Sequence, residues 1–316
     1  MSEMIKQKTQ WKGVVMLMLT ALIWGSSFVA QSVGMESVGA FTFNGIRTLM
    51  GAIVLLPFIL IRDKIQTRSM TAEQVKDRKA MDKKTFRYGL VLGVVFCAAC
   101  NFQQFAFEYS TSGKIAFITA LYMFFVPLFG LFLKKRVPWL TWVCVVFGFI
   151  GLYFLCIGPD GLGGVNRGDL RALVCSVFYA VHILLIEKFA SDVDGIKLSF
   201  VQFVVSGVIT CILMFIFETP QMSAILTAIV PLLYSGIMSC GLAYTFQIVG
   251  QKYTEATVAS LIMCMESVFA VLAGALILHE LLSDREIVGC VIMFVAIIVS
   301  ELSEFITAKL KRKKNA

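Results

Sequence analysis

Residues 196–217 read IKLSFVQFVVSGVITCILMFIF, a run whose one charge, Lys197, sits next to its start. The hydrocarbon core of a bilayer is about 30 Å thick, which a helix of about 20 apolar residues spans. This run has that length. Working outward at the same window finds ten such stretches, at about 13–32, 38–61, 88–108, 113–133, 139–157, 168–187, 196–217, 226–249, 255–278 and 286–306. Ten spans of roughly 20 residues each leave little chain for any soluble domain. Composition agrees. Of 316 residues 58% are hydrophobic and 15% charged, against about 45–50% and about 25% in soluble domains. With 27 Phe, 6 Pro and a mean hydropathy of +0.84, too little polar sequence remains to coat a globule. A soluble enzyme, a disulfide scaffold and a disordered tail are all excluded.

The net charge of +8 lies in short Lys/Arg clusters between the apolar runs. Phospholipid head groups, not nucleic acid, are the anions that suit such placement. With the N-terminus inside, the cytoplasmic segments hold 23 of the 28 Lys and Arg, the outside receives Lys114, Arg167, Arg171 and Arg285, and Arg47 falls within a span. This positive-inside bias predicts a multi-pass protein of the cytoplasmic membrane with both termini in the cytoplasm. The first span reads as a retained helix rather than a signal peptide, since it is long and carries Trp24 to Gln31 in its second half. The loop at about 63–87 mixes charges and reads as a solvated linker, with a short helix after Thr71 as the alternative. All nine Cys (97, 100, 144, 156, 175, 211, 240, 264 and 290) lie in or at the ends of apolar runs, where a thiol acts as a small hydrophobe. No disulfide framework or zinc spacing emerges, so neither a metal nor a cofactor is expected.

The chain repeats. The Gly-rich stretch Gly158 to Gly168 divides it into residues 1–157 and 168–306, followed by a basic tail at 307–316. A shift of 155 places Trp24 on Tyr179, Gly25 on Ala180 and Arg47 on Gln202. A shift of 144 places Phe102, Gln103 and Tyr109 on Phe246, Gln247 and Tyr253, and matches Ile118/Ile262, Phe125/Phe269, Leu128/Leu272 and Gly130/Gly274 without a gap. Five spans per half is an odd number, so the second copy enters the membrane upside down. The fold expected is an all-α membrane protein of ten transmembrane helices in two inverted five-helix repeats, an arrangement characteristic of transporters.

Catalytic constellations are missing: there is no His-Glu-x-x-His, no paired-carboxylate loop, and Gly113-Lys114 lacks the rest of a phosphate-binding loop. No enzyme is expected. Polar residues inside the spans carry more information, because hydrocarbon penalises them unless they face a cavity or a partner helix. At about 100° per residue Trp24, Ser27, Phe28 and Gln31 share one stripe, and Tyr179, His182 and Ile183 repeat it in the sixth span. The third span aligns Asn101, Gln104 and Glu108, with Gln103 opposite, and the eighth aligns Tyr244, Gln247 and Gln251. Aromatics interleaved with amides suit a small organic solute. Interhelical hydrogen bonding, worth about 1 kcal/mol per contact, is the competing reading for each amide. Gly89-x-x-x-Gly93 reads as close helix packing. Three charges stand out: Arg47 near the middle of the second span, Glu266 at the middle of the ninth and Lys114 at the outer end of the fourth. A charge at a helix centre costs about 2.5–3.5 kcal/mol on translocon scales, so something must offset Arg47 and Glu266. Helix carbonyls or a solute are the candidates for Arg47, a proton or a substrate cation for Glu266. Lys114 reads as snorkelling to head groups or as part of the pathway.

These residues resemble a known family. ALIWGSSF at 21–28, an Arg in the second span, YSTSGKIAFITALY at 109–122, AYTFQIVGQKY at 243–253, Ser260 to Ser267 and His279-Glu280 occur in the order and spacing of the EamA-like branch of the drug/metabolite transporter superfamily. The resemblance covers roughly residues 13–306. It implies a ten-helix inverted-repeat carrier that exports small metabolites such as amino acids through a central cavity walled by helices 1, 3, 4, 6, 8 and 9. Trp24, Ser27, Phe28, Gln31, Asn101, Gln103, Tyr122, Tyr179, His182, Tyr244 and Gln247 are the residues of this chain expected there. A passive facilitator, a lipid-linked flippase and a non-transporting membrane subunit remain as alternatives. The partners expected are a small organic solute, membrane lipid and, as a coupling ion, the proton; monomer and homodimer fit equally. Two departures matter. Lys134-Lys135-Arg136 stands where many relatives carry Gly-Glu, and Glu266-Ser267 where Glu-Pro is frequent. Without that proline the ninth helix is expected to run straighter, with no hinge.

Overall fold

The computed structural model describes residues 3–68, 70–110, 112–135, 137–157, 166–277 and 283–301. All regular structure among them is helical. In chain order the helices are α1 (Glu3–Met35), α2 (Ala40–Thr67), α3 (Ala72–Ala106), α4 (Ser112–Thr119), α5 (Tyr122–Phe132), α6 (Trp139–Cys156), α7 (Arg167–Ala190), α8 (Gly195–Phe217), α9 (Met222–Thr227) and α10 (Ile229–Leu233). A π-helical segment, Tyr234–Ala243, follows, and then α11 (Tyr244–Gly250), α12 (Ala256–Met263), α13 (Met265–Ile277) and α14 (Asp284–Glu301). Eight stretches are long and apolar enough to cross a bilayer, and they coincide with eight of the ten expected spans. The expected fifth and tenth fall on shorter apolar stretches, Trp139–Gly151 and Ile287–Ala296. His279, Glu280 and the tail at 307–316 lie outside the described residues.

The outer surface explains the composition. Along α2 the side chains of Ile53, Val54, Leu56, Phe58, Leu60 and Ile61 are exposed, as are Phe215, Ile216 and Phe217 at the end of α8. Apolar surface this continuous has lipid as its solvent, and the chain is a multi-pass membrane protein. Inside, α2 packs on α8, α6 on α14, α3 on α7 and α8, and α1 on α13, α11 and the π-helical segment. Without a hydrophobic force between helices in lipid, close approach depends on small residues. Gly89 and Gly93 provide it for α3 against α8: a Cβ on them would stand 2.4 Å from Val201 Cγ1 and 2.7 Å from Val205 Cβ. Gly25 does the same for α1 against α13, where a Cβ would lie 2.6 Å from the Glu266 carbonyl oxygen.

Four expectations need correction. The segment at 63–87 is not a solvated linker: α2 continues to Thr67 and α3 begins at Ala72. Thr71 caps α3, accepting at Oγ1 from Gln74 N at 3.3 Å while Gln74 Oε1 accepts from Thr71 N at 2.8 Å. With that cap and no proline, the mixed charges simply ride on helix. Their ends lock together: Arg62 pairs with Asp194 at 2.6 Å, Lys197 with Asp63 at 2.8 Å and with Asp82 at 2.7 Å, and Arg78 with Asp63. The ninth span is not continuous despite Ser267. It breaks at Cys264, where Ser267 N bonds back three residues to Cys264 O at 3.1 Å and the Cys264 thiol donates instead to Ala120 O at 3.5 Å. The fourth span breaks similarly between α4 and α5, through Met123 N to Ala120 O at 3.1 Å and Phe124 N to Leu121 O at 2.9 Å. The eighth span, expected as one α-helix, is wound as a π-helix over its middle ten residues.

Candidate functional site

The broken helices surround a central cavity. Its walls are Trp24, Phe28 and Gln31 from α1, Arg47 from α2, Gln103 from α3, Thr119 from α4, Tyr122 from α5, Tyr179 and Ile183 from α7, Ser239 from the π-helical segment, Tyr244 and Gln247 from α11, and Glu266 from α13. The space between these side chains measures about 400 Å³, including space open to solvent.

A phenol and amide network lines one side. Tyr179 Oη and Tyr244 Oη are 2.9 Å apart, Tyr179 donates to Gln103 Oε1 at 3.4 Å, and Gln103 Nε2 donates to Thr119 Oγ1 at 3.5 Å. The Trp24 indole packs on the Tyr244 ring with centroids 4.5 Å apart. Several polar atoms of the lining have no partner: Trp24 Nε1, Gln31 Oε1 and Gln247 Oε1. Buried polar atoms are nearly always paired, and an orphan costs about 1–3 kcal/mol.

Two ionisable side chains face the same space. Arg47 is 2% exposed and Glu266 3%. Arg47 donates through Nε to Asn44 Oδ1 at 2.6 Å rather than to helix carbonyls. Asn44 is itself fixed by donating to Cys100 O at 2.9 Å and Asn101 Oδ1 at 3.2 Å. Glu266 Oε1 accepts from Tyr122 Oη at 3.1 Å. The π-helix accounts for one wall: Tyr244 N bonds to Ser239 O, five residues back, which brings Ser239 over Tyr244 on the cavity face. Residues 144 apart meet repeatedly around the centre: Tyr122 with Glu266, Ala120 with Cys264, and Cys100 Sγ with Tyr244 Oη at 3.9 Å.

Not every expected residue faces the cavity. Ser27 is turned to Ser235, with oxygens 3.5 Å apart. Asn101 bridges α3 to α8 by donating to Thr210 Oγ1 at 2.9 Å, while also bonding Cys97 O at 2.9 Å. His182 is bonded to Gln202 of α8 at 3.0 Å and packs against the Phe96 ring. These three are interhelical fasteners. Glu108 pairs with Arg171 at 3.0 Å near the surface, and Gln251 Nε2 donates to Ile183 O at 3.1 Å. The Lys114 side chain lies outside the described residues. Thr119 and Ser239 line the cavity without having been singled out.

Apolar helices that surround a polar, charge-bearing cavity define a membrane transporter. The chain belongs to the EamA-like transporter family, whose model matches residues 11–157 and 166–302. It is 28% identical over 291 residues to an uncharacterized transporter of Archaeoglobus fulgidus, covering 90% of this chain and 84% of that one. It is 24% identical over 277 residues to the uncharacterized transporter YoaV of Bacillus subtilis, covering 86% and 90%. With the uncharacterized inner membrane transporter YedA of Escherichia coli it shares 23% identity over 292 residues, covering 90% and 89%. A crystal structure 16% identical in sequence has the same fold, with a TM-score of 0.72 over 92% of this chain and 96% of that one. As a transporter, the protein has a small solute as its partner.

Proposed function

We propose that this chain is a secondary transporter that exports small organic metabolites, amino acids among them, by alternating access. Ten crossings in two inverted five-helix halves rock about the central cavity, with both termini in the cytoplasm. The observation that carries the reading is the cavity: rings, amides, an Arg and a Glu from both halves of the chain converge there among helices whose outer faces are apolar. A solute enters only when the walls part, which is what alternation between two openings supplies. Contacts between residues 144 apart support the inverted pairing, since equivalent positions of two halves related by a two-fold axis meet at that axis. No nucleotide-binding motif is present, so the solute gradient or protons would drive the cycle.

Glu266 is the position proposed to couple protons to transport. Glu266→Gln preserves volume and the bond from Tyr122 but removes titration. In proteoliposomes the wild type should show saturable solute transport that responds to an imposed pH gradient, and Glu266→Gln should transport with that response lost. A wild-type pH response in the variant would make the carboxyl group scaffolding. Saturable transport indifferent to pH in the wild type would identify a passive facilitator.

A further inference from the structure

We propose that the first half of α3 is a docking site for an anionic phospholipid, with Lys79, Lys83 and Arg87 on the head group and Leu90 and Val94 along the acyl chain. The site lies on the outer wall of the molecule, away from the central cavity, and is independent of the solute and of the direction of transport. Helix α3 has 35 residues and is about 52 Å long, against a hydrocarbon core of about 30 Å. Roughly 22 Å of it therefore stands outside the core. That length is residues 72 to about 87, ahead of the apolar run that starts at 88.

The charges on this projecting stretch sort by face. Those turned to neighbouring elements are paired: Arg78 with Asp63 of α2, Asp82 with Lys197 of α8 at 2.7 Å, and Lys84 with Asp192 of the turn after α7 at 2.8 Å. Tyr88 continues that side by stacking on Phe189 of α7, with centroids 4.1 Å apart. Lys76, Lys79, Lys83 and Arg87 are exposed and, among the described residues, have no ion-pair partner. At about 100° per residue these four fall within about 80° of one another. Leu90 and Val94 extend the same stripe and are 39% and 55% exposed, on the face that lipid covers.

Heights along the helix match a phospholipid. Counted from Leu90, Arg87 stands about 4.5 Å higher, Lys83 about 10.5 Å and Lys79 about 16.5 Å. The head-group layer of one leaflet is about 5–8 Å thick, so Arg87 lies within it, and the long Lys83 and Lys79 side chains bend down towards it. Asp82 is spent on Lys197, while Glu73 and Asp77 stand near the tip, beyond the head groups. A ligand with an anionic head and an apolar tail meets both parts of the stripe at once. An acidic peptide or a free phosphate meets only the upper part.

The test follows thermal unfolding of the full-length protein in a neutral detergent during titration with phosphatidylglycerol or with phosphatidylcholine of the same chains. A ligand that binds the folded protein raises its unfolding temperature. The expected result is a larger rise with phosphatidylglycerol. Combining Lys79→Gln, Lys83→Gln and Arg87→Gln should increase the concentration that gives half the rise at least fivefold. Combining Lys12→Gln, Lys134→Gln and Lys188→Gln, which removes the same charge elsewhere, should leave it unchanged. Should the hairpin triple variant fold poorly without lipid, Lys83→Gln alone should increase that concentration about twofold or more, and no increase would count against the site. Equal rises with the two lipids, or equal weakening in both triple variants, would overturn the assignment. A rise of the same size with glycerol 1-phosphate or inorganic phosphate, at matched ionic strength, would make this a site for soluble phosphate and overturn the lipid.

Discussion

Trp24 and His182 look alike on a helical wheel, each an aromatic in a polar stripe, yet the structure gives them opposite surroundings. Trp24 borders the cavity with its indole N–H unpartnered, so Trp24→Ala should lower transport about tenfold or more while the unfolding temperature in detergent stays within a few degrees. His182 is fully buried against Gln202 and the Phe96, Tyr179 and Tyr244 rings. His182→Ala strands Gln202 Oε1 in the interior, at a cost of about 1–3 kcal/mol, and should lower the unfolding temperature while the folded fraction binds solute normally. The reverse pattern would exchange their roles. Sequence periodicity resolves a face, not a neighbour. A stripe at about 100° per residue covers both the cavity and the adjoining helix, which is why Trp24, Phe28 and Gln31 reach the cavity while Ser27, on the same stripe, meets Ser235. Thr119 and Ser239 had no signal of their own, since a lone hydroxyl in an apolar run more often bonds its own helix.

Helix ends and breaks depend on partners far away in sequence, and they were the least legible part of the chain. Glu218, at the end of α8, caps α2: its oxygens accept from Phe41 N at 2.9 Å, from Thr42 N at 2.8 Å and from Thr42 Oγ1 at 2.6 Å, with Gly39 leaving room for the carboxyl group. Glu218→Ala should destabilise by about 1–2 kcal/mol, read as a lower unfolding temperature, because it removes a charge from a helix N-terminus and strands two N–H groups. At the end of α5, Lys134 takes φ of 59°, the left-handed position that glycine fills without penalty, while Lys135 N bonds back to Gly130 O at 3.0 Å. Lys134→Gly should therefore stabilise by about 1 kcal/mol and leave transport intact. The break at Cys264 leaves no mark in the sequence, because no proline stands there; beside it the Cys264 thiol donates to Ala120 O of the broken fourth span. The π-helix escaped for a related reason. Periodicity assumes one winding throughout, and over Tyr234–Ala243 the winding changes.

At the scale of the whole molecule the apolar runs were legible, because the thickness of the bilayer fixes their length. Eight of them reappear as helices long enough to cross, and the shorter fifth and tenth candidates are packed against each other as α6 and α14. Whether those two also cross decides the topology, since each adds a reversal of side. If α6 crosses, the segment before α7 lies opposite the segment between α2 and α3, with α3, the α4–α5 pair and α6 in between. If α14 crosses as well, the C-terminal tail returns to the side of the N-terminus. A cysteine-free background carrying single cysteines beside Asp77, Asn166, Ser283 or Asn315 reads this directly with a membrane-impermeant maleimide. Sites beside Asn166 and Ser283 should react in intact cells, and sites beside Asp77 and Asn315 only after permeabilisation, as the cationic bias of the loops requires. Reaction at Asn166 and Asn315 from the same side would remove a crossing from the second half, and with it the odd number that inverts one half against the other.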